Sequence, residues 1–413
     1  MATTSSRRNL DAINFFVAAV QTGFGPFIAV VLTEHGWTQT DIGFALSVGT
    51  IAAMASQLPA GVLVDWFEDK RLPALLAIVA IGVCALVLAF WPARSPVLAV
   101  EVLHGFASCV LGLAIAAVTL AVYGENGLGE SLGHNARFAS IGSAVAAGGL
   151  GALGTYASQR AVFVLAAALT LPVAFALTRI ARIDRAPVER NACHAAQLSP
   201  GERRHLCGRP WRIFKDKGLL VFAAASALFF LGGAAILPVA VNELTRMYGD
   251  AVGLWLSASI VVPQIVVACL SPWIGRAADR FGRRPLLLLG FVASPVRALL
   301  FASMPGPYAL ILVQALDGLS GAVFGVMVGL VAADLTRRIG CFNLAMGTIS
   351  LAIGLGAALS TTLAGTIAGA WGDMAAFLSL AGAGSCAALL VWRVMPETRP
   401  APMPAILPAV RLA

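Results

Sequence analysis

Charged residues are scarce in this chain. Asp, Glu, Lys and Arg make up 12% of its 413 residues, whereas 59% are hydrophobic and the mean hydropathy is +0.86. Soluble domains usually carry about a quarter charged residues. This composition excludes a large water-exposed domain, so most of the chain has to be buried in protein or in lipid.

The chain also lacks the motifs of several protein classes. It has no glycine-rich phosphate loop of the Gly-Lys-Ser or Gly-Lys-Thr type, which argues against ATP-driven activity. Its seven Cys show no framework spacing and are typical of small buried residues rather than disulfides. Cys193-His194 and His205-Leu-Cys207 match no closed zinc-site spacing, and no nucleophile–base pair is evident. We therefore expect no metal, no cofactor and no enzymatic activity.

Long apolar runs fill most of the sequence. About 20 apolar residues cross a bilayer as a helix, and lipid offers the backbone no hydrogen-bond partners. The run 72–91 is apolar on all sides, whereas a barrel strand would alternate. The predicted fold class is an all-α integral membrane protein with twelve transmembrane helices. We place them roughly at 11–32, 40–64, 72–91, 96–122, 136–157, 160–180, 218–243, 252–275, 285–304, 307–333, 341–369 and 373–393.

Basic residues between the runs predict the orientation. The first run exceeds a signal-peptide core and lacks a convincing cleavage site, so we expect a retained helix. With both termini cytoplasmic, one side of the membrane holds the basic central segment 181–217 and Lys70, Arg71, Arg137, Arg276, Arg280, Arg283, Arg284, Arg337 and Arg338. The other side keeps Arg94, Arg160 and Arg246. By the positive-inside rule this is a multi-pass protein of the cell (inner) membrane, and its net charge of +8 reflects topology, not nucleic-acid binding.

The two halves of the sequence repeat each other. Matches at offsets of 213 or 214 residues pair Gly61 and Asp65 with Gly275 and Asp279, Phe15-Phe16 with Phe229-Phe230, and Leu-His104-Gly with Leu-Asp317-Gly. Such a repeat predicts two six-helix bundles of parallel orientation. The predicted organisation is an N-terminal bundle at 1–180, a cytoplasmic basic linker at 181–217, a C-terminal bundle at 218–393 and a cytoplasmic tail at 394–413.

A loop pattern follows the second span of each half: glycine, three residues, aspartate, two residues, glycine, then basic residues. It is intact from Gly275 to Arg284, whereas Glu68 replaces the second glycine of the first copy. Together with the twelve spans and the repeat, this pattern resembles the major facilitator superfamily over the whole chain. The resemblance implies transport by alternating access and a cytoplasmic latch that holds while the cavity opens outward. The implied latch residues are Gly61, Asp65, Arg71, Gly275, Asp279, Gly282, Arg283 and Arg284.

Physical chemistry supports those roles independently. Glycine allows close approach of helices, and an aspartate at a helix end can receive the positive N-terminus of another helix. The chain departs from the family at the fourth span, where the arginine and glutamine of many proton-driven members are replaced by Glu101 and His104. This departure weakens assignment to the drug–proton antiporters but leaves the fold prediction intact.

Four ionisable residues within the spans are candidate sites. An intramembrane charge costs roughly 2.5–3.5 kcal/mol on insertion scales and so needs an explanation. Glu101 and His104 are three residues apart on one helix face and are predicted to carry protons or bind substrate; the alternative is an ordinary interhelical hydrogen bond. Arg297 and Asp317 both fall near the middle of the membrane. They form either a structural ion pair or a substrate-binding or gradient-sensing charge.

Further candidates rest on the resemblance, which implies that helices one, four, seven and ten line the cavity. These are Asn14, Gln21, Phe229 and Asn242, for each of which lipid contact or helix packing is the alternative. A Gly25-Pro26 break is expected to kink the first span.

The predicted function is proton-coupled efflux, by antiport, of a small organic solute. Proton-coupled uptake of a metabolite is the alternative with the same fold, and a non-transporting membrane receptor or scaffold is the alternative from another class. The expected partners are a small-molecule substrate, protons and the lipid bilayer, and we expect a monomer.

Overall fold

The computed structural model describes residues 4–24, 26–123, 128–180, 214–240, 252–303, 307–337 and 341–399. Within these ranges the chain forms helices and no strands. Thirteen helices are delimited: α1 (Thr4–Phe24), α2 (Pro26–Glu34), α3 (Gln39–Trp66), α4 (Arg71–Phe90), α5 (Arg94–Tyr123), α6 (Leu128–Tyr156), α7 (Gln159–Arg179), α8 (Lys217–Gly233), α9 (Val252–Phe281), α10 (Arg283–Ser303), α11 (Pro307–Thr336), α12 (Phe342–Trp371) and α13 (Asp373–Val394).

Twelve spans in the described ranges are long and apolar enough to cross a membrane. Helices α1 and α2 together make the first span, and α8 with the residues up to Ala240 makes the seventh. Gly25, at the predicted break in the first span, lies outside the described residues, and the helices on either side of it end at Phe24 and begin at Pro26.

The helices pack into two bundles. In the first, α5 packs against α3 and α4, and α7 packs against α1 and α4, while α6 lies along α1. In the second, α12 and α13 pack on α8, α9 packs on α11, and α10 packs on α11 and α13. Each bundle has its own core of mainly aliphatic and alanine side chains, and phenylalanines are more frequent in the second. Small side chains let neighbouring helix backbones approach closely, as is usual within a membrane.

The bundles meet chiefly along two helix pairs, α6 with α9 and α3 with α12, and α6 also contacts α11. Contact is closest at the end of the molecule that carries Lys70, Arg71, Arg276 and Arg284, hereafter the basic end. There a Cβ on Gly61 would lie 2.7 Å from the carbonyl oxygen of Asn343.

Towards the opposite end the same helices have free space beside them. A Cβ added at any of the glycines Gly148, Gly149, Gly151, Gly365 and Gly369 would meet no atom within 4 Å. The bundles are thus held together at the basic end, and their helices have room between or around them at the other.

Candidate functional site

A polar cluster in the first bundle joins α1 and α5. Nε2 of His104 lies 3.1 Å from Oε1 of Gln21 and 3.2 Å from Oγ of Ser108. The amide nitrogen of Gln21 donates to Oγ of Ser108 at 3.0 Å, and the His104 ring stacks on Phe24 with the ring centroids 4.0 Å apart. These side chains offer both donors and acceptors beside an aromatic face. This arrangement suits recognition of a small organic molecule.

Glu101 lies on the same helix but faces another neighbour. It is 5% exposed, and its carboxylate fills a notch beside Gly49 of α3, where even a Cβ would collide with Oε2. Its Oε1 is buried and has no hydrogen-bond partner within the described ranges. An ionised carboxylate held in that way is costly, because neither a cation nor a full set of donors compensates the charge.

The expectation that Glu101 and His104 act side by side is not met. Each turns to a different helix, Glu101 towards α3 and His104 towards α1. Three residues along a helix leave two side chains about 60° apart around its axis, which is enough to separate them into different helix interfaces.

The other cavity candidates have different outcomes. Gln21 faces the interior of the bundle as described, whereas the Asn14 amide donates to the carbonyl of Leu10 in its own helix. Phe229 is 7% exposed and packs in the second core rather than on an open wall; its neighbour Phe230 is only partly buried. The stacked ring of Phe324, 5.3 Å from that of Phe229, helps to draw it inward. Asn242 lies outside the described residues.

In the second bundle Arg297 and Asp317 form an ion pair, which is one of the two arrangements that the sequence analysis proposed for them. Arg297 of α10 is 4% exposed and pairs with the carboxylate of Asp317 on α11. A second nitrogen of its guanidinium donates to the carbonyl of Gly233, at the end of α8, at 3.2 Å. The side chain of Asp317 is 42% exposed. One partner is therefore sealed within the bundle while the other faces open space.

At the basic end, Asp65 binds the N-terminus of a helix in the other bundle. Its carboxylate accepts hydrogen bonds from the backbone amides of Asn343 and Leu344, at 3.2 and 3.0 Å, and from the Asn343 side chain at 2.7 Å. These amides begin α12, where the helix dipole favours a negative charge. Arg71 instead donates to Asp69 and to the carbonyl of Ile180, so it stays within its own bundle.

The second copy of the pattern makes the equivalent contact with α6. Gly275 packs so closely on Gly129 that a Cβ would overlap its carbonyl oxygen, and a Cβ on Gly129 would lie 2.9 Å from either carboxylate oxygen of Asp279. Asp279 also accepts from Arg283 at 3.2 Å. The buried guanidinium of Arg283 reaches Asp334 of α11 at 3.0 Å.

The backbone conformation of Gly282 explains why the intact loop pattern has a glycine at this position. Its φ of +97° is a left-handed conformation that most side chains avoid, and a Cβ there would lie 2.7 Å from Oε2 of Glu397. The first copy avoids this conformation, because α3 ends one position earlier, at Trp66, and continues through an extended Phe67. Glu68 can therefore replace the second glycine.

Several known proteins resemble this chain in sequence. The family model for the Major Facilitator Superfamily matches residues 10–247 and again 222–407. The chain belongs to the Major Facilitator Superfamily. It is 34% identical over 393 residues to an uncharacterised MFS-type transporter of Mycobacterium tuberculosis, covering 95% of this chain and 93% of that protein. More distantly, 121 residues are 30% identical to the class B tetracycline resistance protein of Escherichia coli, covering 29% of this chain and 27% of that one.

The fold agrees with a solved structure of the same superfamily. The fucose:proton symporter of Escherichia coli matches with a TM-score of 0.73 at 13% identity, over 95% of this chain and 99% of that one. The chain is therefore a multi-pass superfamily transporter with twelve membrane helices in two repeated bundles, as its sequence predicted.

The structure adds functional candidates that the sequence analysis missed. Ser108 follows His104 by four residues, so the helical spacing of polar side chains was a usable signal. Glu397 binds the backbone amides of Arg283, Arg284 and Arg399. Burial opposes ionisation of Glu397, but those amide donors and the nearby Arg283 charge outweigh it and lower its pKa below the usual 4.5. No local pattern connects residue 397 with a loop more than a hundred positions earlier.

Proposed function

We propose that this superfamily transporter exports a small organic solute in exchange for protons, with Glu101 as the proton carrier. The observation that carries the proposal is the burial of Glu101 in a notch of α3 with one oxygen unpartnered. A membrane-embedded carboxylate with an environment of this kind gains and loses a proton as its access to water changes. Movement of α3 relative to α5 would supply that change in access.

Asp317 is the weaker proton carrier of the two. Its partner Arg297 is buried, so protonating Asp317 would leave a bare positive charge inside the bundle. An arginine that loses its counter-charge inside a bundle is destabilised, although the exposed side of Asp317 lessens the cost. We therefore assign the Arg297–Asp317 pair to structure and substrate contact, and the proton to Glu101.

The substrate site that we propose lies at His104, Gln21 and Ser108. Their hydrogen-bonding groups and the Phe24 ring favour an uncharged polar group carried on an apolar or aromatic body. Support for export comes from the distant resemblance to the tetracycline resistance protein and to multidrug resistance protein 1 of Bacillus subtilis, 32% identical over 159 residues (37% of this chain and 39% of that one).

Proton-coupled uptake is the second candidate. The fold match to the fucose:proton symporter favours it, as does the fact that a polar cluster such as His104 with Gln21 and Ser108 also suits a hydroxylated metabolite. In both mechanisms the bundles rock against each other and open the site to one side of the membrane at a time. The direction of proton movement relative to the solute separates the two.

The test is a proteoliposome assay with a pH-sensitive dye inside the vesicles and an imposed pH gradient. Tetracycline and a panel of organic cations and sugars are added in turn. We expect solute-dependent proton flux in the opposite direction to the solute, abolished by Glu101→Gln. That variant should retain downhill solute exchange, because it keeps the polar cluster intact.

The matched control is Glu34→Gln, an exposed carboxylate at the end of α2. It should leave proton flux unchanged. Proton and solute moving together would support uptake instead. Solute flux that proceeds without proton flux in the wild-type protein would refute proton coupling altogether.

A further inference from the structure

The seventh span is interrupted near its middle. Helix α8 ends at Gly233, residues 234 and 235 form a turn, and helical structure resumes at 236–240. The amide of Ala234 still donates to Phe230, and the amide of Val239 donates to Ala235. The helix is therefore broken at one place, and an outer segment, residues 236–240, is joined to α8 by that break.

Side chains from two other spans take up two of the backbone groups that the break sets free. In a continuous helix the carbonyl of Gly233 would accept from residue 237 and the amide of Ala235 would donate to residue 231. Instead Arg297 donates to the Gly233 carbonyl at 3.2 Å, and the Ala235 amide donates to Oγ of Ser360 at 3.1 Å. Unsatisfied backbone groups at membrane depth are costly, so these two contacts stabilise the broken conformation.

Arg297 also connects this break with the open side of the bundle. Its guanidinium is shared between the Gly233 carbonyl and Asp317, whose side chain is 42% exposed. The Nε of Arg297 and the hydroxyl of the adjacent Ser294 are buried and unpartnered within the described ranges. The guanidinium therefore has few other groups to hold it in place if Asp317 stops doing so.

We propose that Arg297 is a positioning residue that links the occupancy of Asp317 to the break in the seventh span. A cation arriving at Asp317 from the open side weakens its hold on Arg297. Arg297 then shifts from the Gly233 carbonyl, and the outer segment 236–240 loosens. The biological role of this linkage rests on the proposed transport function, in which it would signal solute binding to the outer segment of the seventh span. The linkage itself is inferred from the contacts alone.

Hydrogen–deuterium exchange of the detergent-purified full chain tests the linkage without any substrate. The readout is the exchange rate of peptides covering 231–240. Ser360→Ala should raise it about five-fold, the factor that corresponds to the loss of one ordinary hydrogen bond. Asp317→Asn, which imitates the neutral form, should raise it by a similar factor although residue 317 touches none of these amides.

A double-mutant cycle decides whether Arg297 transmits the effect. With Arg297→Lys, which keeps the charge but loses the forked donor, Asp317→Asn should add less than two-fold. The matched control is Arg393→Gln, an exposed arginine stacked over Trp392 in the same bundle, which should leave exchange at 231–240 unchanged.

Two results would overturn the proposal: unchanged exchange in both Ser360→Ala and Asp317→Asn, or a full effect of Asp317→Asn in the Arg297→Lys background. A transport assay that fails while the exchange results hold would count against the proposed function and not against this linkage.

Discussion

The two halves of the molecule make the same contact across the bundle interface but stabilise it differently. In each half a glycine and an aspartate near the end of the second span face the N-terminus of a helix in the other bundle. In each half, too, an arginine beyond that loop donates to a carbonyl near the end of the last helix, Arg71 to Ile180 and Arg284 to Trp392. The repeat thus preserves the contacts more faithfully than the sequence that makes them.

The halves differ in what supports the turn into the third span. In the first half the carboxylate of Asp69 accepts a hydrogen bond from the backbone amide of Arg71, which lies only two residues later in the sequence. In the second half the turn is Gly282 alone, and Glu397 from the segment after α13 accepts from the amides of Arg283 and Arg284. The first turn is therefore stabilised locally, while the second depends on residues distant in sequence. Substitutions in the second half should consequently have the wider effects.

The largest difference is expected between Arg283→Gln and Arg71→Gln. The buried Arg283 side chain, 6% exposed, donates to Asp334, to Asp279 and to the carbonyl of Ala278, so removing it breaks a buried charged network, at a cost of about 3–5 kcal/mol. Arg71 pairs with a carboxylate that is 36% exposed and donates to a single carbonyl, that of Ile180, so its loss should cost less, about 1–2 kcal/mol. Thermal unfolding of the purified variants, followed by tryptophan fluorescence, measures both. Equal losses would contradict the comparison.

The glycines at the interface come next. Gly275→Val and Gly61→Val would each push a side chain into the backbone of the facing helix, disfavouring closure at the basic end by about 1–3 kcal/mol. Distances between spin labels on the two bundles at that end should lengthen in both variants. Gly43→Val, on α3 with no atom within 4 Å of its Cβ, is the control and should leave the distances unchanged.

The sequence predicted the contacts that depend on short-range pattern. Twelve spans follow from apolar run length, and the interface glycines and aspartates follow from a local motif repeated at one offset. It did not predict which helix face each polar residue occupies. Glu101 contacts α3 and His104 contacts α1, because the two side chains lie on either side of the line along α5 where these neighbouring helices meet. The position of that line depends on how the helices pack, and the spacing of residues in the sequence does not reveal it.

Long-range partners were the other limit. Ser360 binds an amide 125 positions away, and Glu397 binds one 114 positions away. Nothing in a single sequence ties such residues together, because backbone amides carry no residue identity. Phe229 shows the same limit for apolar side chains, since a phenylalanine suits a cavity wall and a core equally well until its neighbours are known.

A moderate difference is expected between Asp65→Asn and Asp279→Asn. Asp65 accepts three hydrogen bonds from the start of α12, and asparagine has only one oxygen to replace two. Its loss should weaken closure at the basic end by about 1–2 kcal/mol. Asp279 has a 37% exposed side chain and accepts a hydrogen bond from Arg283, so its substitution should weaken closure by a smaller amount. The same spin-label distances report both, and a larger effect at Asp279 would reverse the ranking.

The smallest effect on stability is expected from Glu397→Gln, in the segment that follows α13. Its dependence on pH makes this small effect measurable. The pKa of Glu397 is lowered in the folded protein, so the carboxylate stabilises the fold above its usual pKa of 4.5 and loses that contribution as the pH falls through the lower folded value. The melting temperature of Glu397→Gln should therefore lie slightly below that of the wild-type protein by a constant amount between about pH 5.5 and 8. The gap should narrow as the pH falls from 4.5 towards the lower pKa of the folded state, where the wild-type carboxyl also becomes neutral. A gap that persists unchanged into acid would mean that Glu397 acts by shape rather than by charge, whereas no gap at any pH would mean that the second turn is held, like the first, mainly by its local sequence.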